Sequence, residues 1–323
     1  MVRNPLSDLV IVVIPACLSA PGQPSQLSRC VASLLAGAGS LRVVVVDDAS
    51  PLPVPALPEQ AELMRLPVNC GPAAARNRGI ERALEMGARL VLFTDADCVP
   101  APGWAGQMDS FLSAGSLVAA GGVTRSLGVT LLDRYHDFVG SLNGRWLLPG
   151  RKELLYAATC NMAVRASALA DVRFDERFPV AAGEDVDFCL RLRAHGAIGL
   201  ATRAVVRHDF GYPNTWRGLG RFVRMFRRYG EADPLLWEKH PWLRAVGTEG
   251  CAAADLLASP LPVEQEAWRR GALRRVRPDR YRPALWMLSR LARLAHARGR
   301  AAPARWRAPA SRQSHPPARM PLP

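Results

Sequence analysis

The sequence predicts an α/β fold, a mostly parallel sheet flanked by helices. Three observations predict it: two β-branched runs within the first 50 residues, a helical-period segment between them, and a second helix-then-strand pair directly after. LVIVVIP (Leu9 to Pro15) is apolar up to its proline, as in a strand buried on both faces. In Gln26 to Leu35, the residues Leu27, Val31, Leu34 and Leu35 recur at helical spacing, and Ser25 is placed to cap the helix. LRVVVVDDAS (Leu41 to Ser50) is the next strand and ends in carboxylates. AAARNRGIERALEMG (Ala73 to Gly87) reads as a helix stopped by Gly87, and RLVLFTDAD (Arg89 to Asp97) as a third buried strand. In open parallel sheets ligands bind beyond the carboxyl ends of the strands, which is where both acidic clusters fall.

Residues 116 to 208 are more mixed. They hold a strand candidate LVAAGGV, an irregular stretch around SLNGRWLLPGRKELL, a helix EDVDFCLRLRAHG ending at Gly196, and the strand-like AVVRHDF. From Thr215, WRGLGRFVRMFRRYG is a basic amphipathic helix, and 251–259 and 283–297 read as further helices. The expected organisation is one α/β domain over 1–240, in two halves that meet near residue 115, the first of them holding the acidic strand ends. A helical extension over 241–297 and a disordered Pro/Ala/Arg tail over 298–323 complete it.

An apolar fraction of 49% over 323 residues is ample for an enzyme core. The net charge of +14 is concentrated rather than spread: residues 265–323 carry 15 arginines against Glu266 and Asp279, and the rest of the chain is close to neutral. No DNA partner is expected from such a distribution. The tail is either a solvated extension or a peripheral contact with anionic membrane or RNA. Seven cysteines without a CxxC pair give neither a disulfide framework nor a zinc site and suit a reducing cytoplasm. The N-terminal apolar run Leu9 to Cys17 is too short to span a bilayer and lacks a signal-peptide cleavage pattern. The expected location is cytoplasmic, with the tail able to reach the inner face of the membrane.

Five groups of residues carry the chemistry. Asp47-Asp48 at a strand end can accept from a nucleobase N–H or ribose hydroxyls, although Asp there also starts turns. Asp95-Ala96-Asp97 can reach one hard cation that neutralises a diphosphate leaving group; the alternative is a solvated turn. NCGPAAARNRG (Asn69 to Gly79) opens a helix with backbone N–H groups and Arg76, suited to a phosphate or base edge, or is simply a capped helix. In AAGEDVDFCLRLRAHG three acids crowd a helix start: Asp185 is the candidate general base, Glu184 is placed to orient the acceptor, and Asp187 pairs with Arg191 four residues on. His208 in AVVRHDF is a candidate third metal ligand, and Cys160 and Asn161 in AATCNMAVR are candidates for the acceptor pocket.

VIP, VVVVDDAS, NCGPAAARNRG, FTDADCVP, TCNMAVR and GEDVDFCLRLRAHG occur in an order and spacing that resembles family 2 glycosyltransferases, over about Leu9 to His240. The resemblance implies a GT-A fold, a nucleotide-diphosphate-sugar donor with UDP-sugar favoured, Mg²⁺ or Mn²⁺, and single displacement with inversion onto an acceptor hydroxyl. It places Pro15, Asp47, Asp48, Arg76, Asp95 and Asp97 on the donor side, Asp97, Asp95 and His208 at the metal, and Asp185 at the acceptor hydroxyl. The segment from GEDVDF to RRYGEADPLLWEKHP is similar to the subgroup that includes mycofactocin glycosyltransferases. Ala16-Cys17 departs from the aromatic-Asn pair that many members carry after the first strand, and no QxxRW motif is present, which implies transfer of one sugar. A sugar nucleotidyltransferase would need a basic Gly-rich loop where PACLSAPGQPSQ stands, and no GxGxxG follows a strand. The alternative from another class is a non-catalytic nucleotide-sugar or RNA-binding protein using its basic tail.

Overall fold

The computed structural model of the protein describes residues 9–36, 41–146, 153–246 and 278–302. The first β-branched run forms β1 (Val10–Ala16), buried almost throughout. Helix α1 (Gln23–Leu35) is the crossover to β2 (Leu41–Asp47), which pairs in parallel with β1 from Val10 opposite Leu41 to Ala16 opposite Asp47. Ser25 does not cap α1. Gly22, at φ 93°, precedes the first helical residue, and Gln23 folds back so that its Oε1 accepts the Ser19 and Ala20 N–H groups at 2.7 and 2.8 Å. Next comes β3 (Ala61–Arg65), parallel to β2 and partly exposed; AELMR has no β-branched residue, so no strand was expected there.

Helix α2 (Pro72–Glu85) starts after Gly71 and ends, as expected, ahead of Gly87, whose φ of 77° suits the position past a helix end. Gly79 lets α2 lie directly on β1, because a Cβ there would run into the Val13 side chain. Strand β4 (Leu90–Phe93) pairs in parallel with β1 and stops at Phe93, earlier than expected, which leaves Asp95 to Asp97 on a turn into β5 (Cys98–Pro100).

The chain continues through α3 (Trp104–Ser113), β6 (Ala119–Ser126), α4 (Leu131–Val139), β7 (Arg145–Trp146), β8 (Leu154–Tyr156), β9 (Met162–Arg165), α5 (Glu184–Leu192) and β10 (Ile198–His208). Neither α3 nor α4 was anticipated, although Thr130 and Asp133 form a capping box legible in the sequence as T-x-x-D. The sheet has ten strands in the order β3-β2-β1-β4-β9-β6-β10-β8-β7, with β5 paired to β10. β9 runs antiparallel to both β4 and β6, and β6 is parallel to β10, so β1 to β4, β6 and β10 share one direction. The mostly parallel sheet is therefore the one expected.

Residues 1–127 and 142–209 form one compact unit, which contains the sheet. Its core joins β1, β2 and β4 to Leu27 and Val31 of α1 and to Trp104, Met108 and Leu112 of α3. Residues 128–141 and 210–323 form the second unit, built from α4, α6 (Trp216–Lys239), α7 (Pro241–Val246) and α8 (Pro278–Arg300). Its core is Tyr135, Phe222, Phe226, Leu285, Leu288, Ala292 and neighbours. α6 and α8 touch backbone to backbone, since a Cβ on Gly230 would strike the His296 carbonyl and one on Gly299 the Arg227 carbonyl. The expected helix at 251–259 and the tail beyond 302 lie outside the described residues. Among the described residues, no helix is long and apolar enough to cross a membrane.

Candidate active site

The carboxyl ends of β1, β2 and β4 meet the start of α2 and the start of α5. Asp47, last residue of β2, is 0% exposed; its Oδ1 accepts the Ser50 N–H at 2.9 Å and its Oδ2 is held by Arg65. Asp47 thus anchors the turn after β2. Asp48 is also buried, and its two oxygens accept the Cys70 and Gly71 N–H groups at 2.7 and 2.8 Å. It shapes the loop ahead of α2, and each oxygen keeps acceptor capacity for a second partner. Gly71 is required here: its φ is 90°, and a Cβ would come within 2.7 Å of the Pro179 carbonyl oxygen. Pro15 lies in β1 opposite Val46 and is half-buried.

Arg76, one turn into α2, is 2% exposed. Its Nη1 donates to Glu184 Oε1 at 2.9 Å and its Nη2 to Asp95 Oδ1 at 2.9 Å, while the guanidinium lies 5.6 Å from the centre of the Phe174 ring. Burial works against the Arg76 charge, and the two carboxylates outweigh it, raising its pKa above the ordinary value. Beneath it Phe93, Phe174 and Phe188 pack together, with Phe174 and Phe188 stacked at 4.0 Å. Asn77 next to it is spent on structure: it donates to the Phe174 carbonyl and Glu176 and accepts the Phe174 N–H. The Glu184 carboxyl is buried and turned to Arg76. Burial raises the Glu184 pKa, with Arg76 pulling the other way.

Asp185, the second residue of α5, is partly exposed and accepts the Val186 N–H at 2.8 Å. Burial, then the adjacent Glu184, push its carboxyl up to about 7, against the opposing pull of Arg76. Asp187 and Arg191 form the expected structural pair at 2.7 Å.

The turn after β4 faces the end of β10. Antiparallel pairing of β5 with β10 sets Cys98 opposite His208, and the Asp209 N–H donates to the Asp97 carbonyl at 2.9 Å. That register brings His208 Nε2 to 3.4 Å from Asp97 Oδ1, although the two are 111 positions apart in sequence. The Asp97 side chain is 39% exposed; burial raises its pKa, His208 lowers it and Asp95 raises it. Donor atoms of Asp97, Cys98 and His208 lie within 4.8 Å of one another. A carboxylate and an imidazole suit Mg²⁺ or Mn²⁺ that keeps waters and phosphate oxygens as its other ligands. Cys98, which the sequence reading did not single out, adds nothing to a hard cation, because burial holds its thiol protonated far above the usual range. Asp95 stands beside this pair with its side chain 27% exposed and Oδ1 committed to Arg76.

Cys160 and Asn161 lie in the short 3-10 turn Thr159–Asn161 that leads into β9. Both are buried, Cys160 in the apolar core and Asn161 as a polar hub that accepts Trp104 Nε1–H at 2.7 Å and donates to the Ala204 carbonyl at 3.3 Å. β10 shifts register against β6 between Ala201 and Val205, and the Ala204 carbonyl that Asn161 reaches lies in that irregular stretch.

The mostly parallel α/β sheet gathers acidic groups at its strand ends, and the chain belongs to glycosyl transferase family 2, whose profile matches residues 11–175. It is similar to the pre-mycofactocin glycosyltransferases of Mycobacterium tuberculosis strains CDC 1551 / Oshkosh and H37Rv, at 35% identity over 215 residues in each case. The match covers 62% of this chain and 42% of theirs, so the chain spans less than half the length of these relatives. Among solved structures it resembles S. aureus TarS 1-349 in complex with UDP (17% identity, 69% of this chain and 64% of that one, TM-score 0.47). It also resembles GalNAc-T7 with UDP, GalNAc and Mn²⁺ (17% identity, 62% of this chain and 43% of that one, TM-score 0.49).

Proposed function

We propose that this protein transfers a single sugar from a nucleotide-diphosphate sugar to an acceptor hydroxyl, with inversion at the anomeric carbon and with a divalent metal. Asp185 is the general base: it takes the hydroxyl proton as the acceptor oxygen bonds to the anomeric carbon and the bond from that carbon to the diphosphate breaks. The observation that carries this reading is the Glu184–Arg76–Asp95 chain of ion pairs, which ties the start of α5, where Asp185 sits near neutrality, to the turn that bears Asp97. A base poised at about pH 7 is half-deprotonated at the operating pH, the condition for efficient proton abstraction.

Asp97 and His208 would hold Mg²⁺ or Mn²⁺, with Asp95 beside them, and the ion supplies positive charge against the departing diphosphate when bound. Asp48 contacts the nucleoside through its remaining lone pairs, beside Pro15 at the end of β1. In this reading donor contacts fall within 1–115 and acceptor contacts within 116–240. Arg76 and Glu184 act as positioning residues. UDP-sugars are the donors to test first, and a pre-mycofactocin-type hydroxyl is the first acceptor, after the names of the curated relatives. A reducing, cytoplasmic compartment goes with it, supported by six free thiols among the described cysteines.

A screen of UDP-, GDP- and dTDP-sugars by thermal shift and slow hydrolysis, with and without Mn²⁺, tests the proposal on the wild type and Asp97→Ala. A metal-dependent shift or hydrolysis that the substitution removes is the expected result. No shift with any nucleotide sugar under any metal condition would overturn it in favour of a binding protein.

A further inference from the structure

Helix α8 is apolar on two opposite faces, and only one of them is covered within its unit. Leu285, Leu288, Ala292, Ala295 and His296 are buried, and Gly299 lies against the α6 backbone. On the other side Trp286 is 58% exposed, Met287 64% and Leu294 62%. At 3.6 residues per turn these three share an arc of about 100° with Ala297 and Pro283. Arg290 is exposed within that arc, its guanidinium 4.3 Å from the centre of the Trp286 ring, and the exposed Arg293 and Arg298 flank it on either side. A soluble surface seldom shows an aromatic, a methionine and a leucine side by side unless something else covers them.

We infer that this face of α8 docks on an anionic lipid bilayer, lying in the plane of the interface. Trp286, Met287 and Leu294 would enter the boundary between headgroups and acyl chains, while Arg290, Arg293 and Arg298 would keep their guanidinium groups at the lipid phosphates. Charge selects this occupant. Residues 280–323 hold ten arginines and no acidic residue, so neither a second copy of the same face nor the chain after residue 302 offers complementary charge. An anionic bilayer offers it along the whole helix, since its surface potential attracts each arginine close to it. This inference rests on α8 itself and stands apart from the arginine-rich tail and from the transfer reaction.

Co-sedimentation of the full chain with vesicles of phosphatidylcholine and phosphatidylglycerol, against vesicles of phosphatidylcholine alone, tests it. The wild type is expected to pellet with the anionic vesicles only. The double substitution Trp286→Ser, Leu294→Ser removes two exposed apolar groups without touching the core, and is expected to lower the partition coefficient by at least about tenfold. A second variant, Arg290→Gln with Arg293→Gln, keeps the apolar groups and is expected to lose most of the preference for anionic lipid. Each variant is checked for a wild-type circular dichroism spectrum and melting temperature. Wild-type binding by the Trp286→Ser, Leu294→Ser protein would place any membrane affinity in the tail and overturn the proposal. Equal binding to neutral vesicles, or no vesicle binding together with dimer formation that Trp286→Ser abolishes, would overturn it too.

Discussion

Arg76 reaches across the fold to Glu184, 108 positions away in sequence, with Nη1 2.9 Å from Oε1 and both side chains almost wholly buried. The second arm of the same guanidinium holds Asp95. A buried ion pair contributes little net stability relative to apolar groups of the same shape, but losing one partner leaves an uncompensated charge in the interior. Arg76→Met should therefore destabilise the protein by about 3–5 kcal/mol, and Arg76→Lys by less, since an ammonium keeps the charge but not the planar two-armed geometry. Urea denaturation of the three proteins checks this; an Arg76→Met protein as stable as the wild type would show that the bridge is not maintained in solution.

Burial and the Glu184 charge raise the Asp185 carboxyl to about 7, and Arg76 pulls against that rise. As a base Asp185 must be ionised, so kcat/KM should fall about tenfold per pH unit below this point. In an Arg76→Lys protein with its weaker bridge the acid limb should move to higher pH. An acid limb near pH 4 in the wild type would contradict the assignment.

Asp185 has a stability signature of the opposite kind. The folded protein keeps it protonated up to about pH 7, whereas the unfolded chain releases the proton near about pH 4. Between those values the folded state binds more protons, so this group's contribution to stability declines as pH rises through the window. Asp185→Asn removes that decline, and its melting temperature should exceed the wild type's by more at pH 8 than at pH 4. Thermal scans at the two pH values read the difference directly.

His208 pairs with Asp97 because β5 lies in register with β10. Asp97→Asn and His208→Ala should each weaken Mn²⁺-dependent donor binding, by at least about tenfold, and leave binding in EDTA unaffected. Isothermal titration with and without Mn²⁺ distinguishes this from a general loss of folding.

Asn161→Ala should act on stability alone. It leaves the buried Trp104 Nε1–H without an acceptor, at a cost of about 1–3 kcal/mol, and the KM for the acceptor should stay at the wild-type value. A raised acceptor KM at unchanged stability would contradict this and assign Asn161 to the acceptor side.

The sheet was legible because its strands are buried on both faces: Val10 to Ile14 and Val43 to Val46 admit no other reading, and Gly87 marks the helix end by its backbone alone. The acidic clusters were legible too, since they follow those strands. What could not be read was which carboxylates are spent on the fold. Asp47 and Asp48 look alike in sequence, yet one holds Arg65 and Ser50 and the other the N–H groups of the Gly71 loop. Arg76 stands among small alanines, which in retrospect signals burial rather than exposure to ligand. The contact of Asn161 with the Ala204 carbonyl was not legible, because it depends on an irregularity in β10 some 40 residues further along. Edge strand β3 and helix α3 lack strong local signals and are formed by the packing around them.

Single-turnover transfer by Asp185→Asn, set beside its donor affinity in Mn²⁺, tests the role of Asp185 most directly. We expect donor binding close to that of the wild type and transfer reduced by about 10²–10⁴-fold or more, because the proton of the acceptor hydroxyl has no base to receive it. Transfer at a rate within a few fold of the wild type would contradict Asp185 as the base and the mechanism built on it.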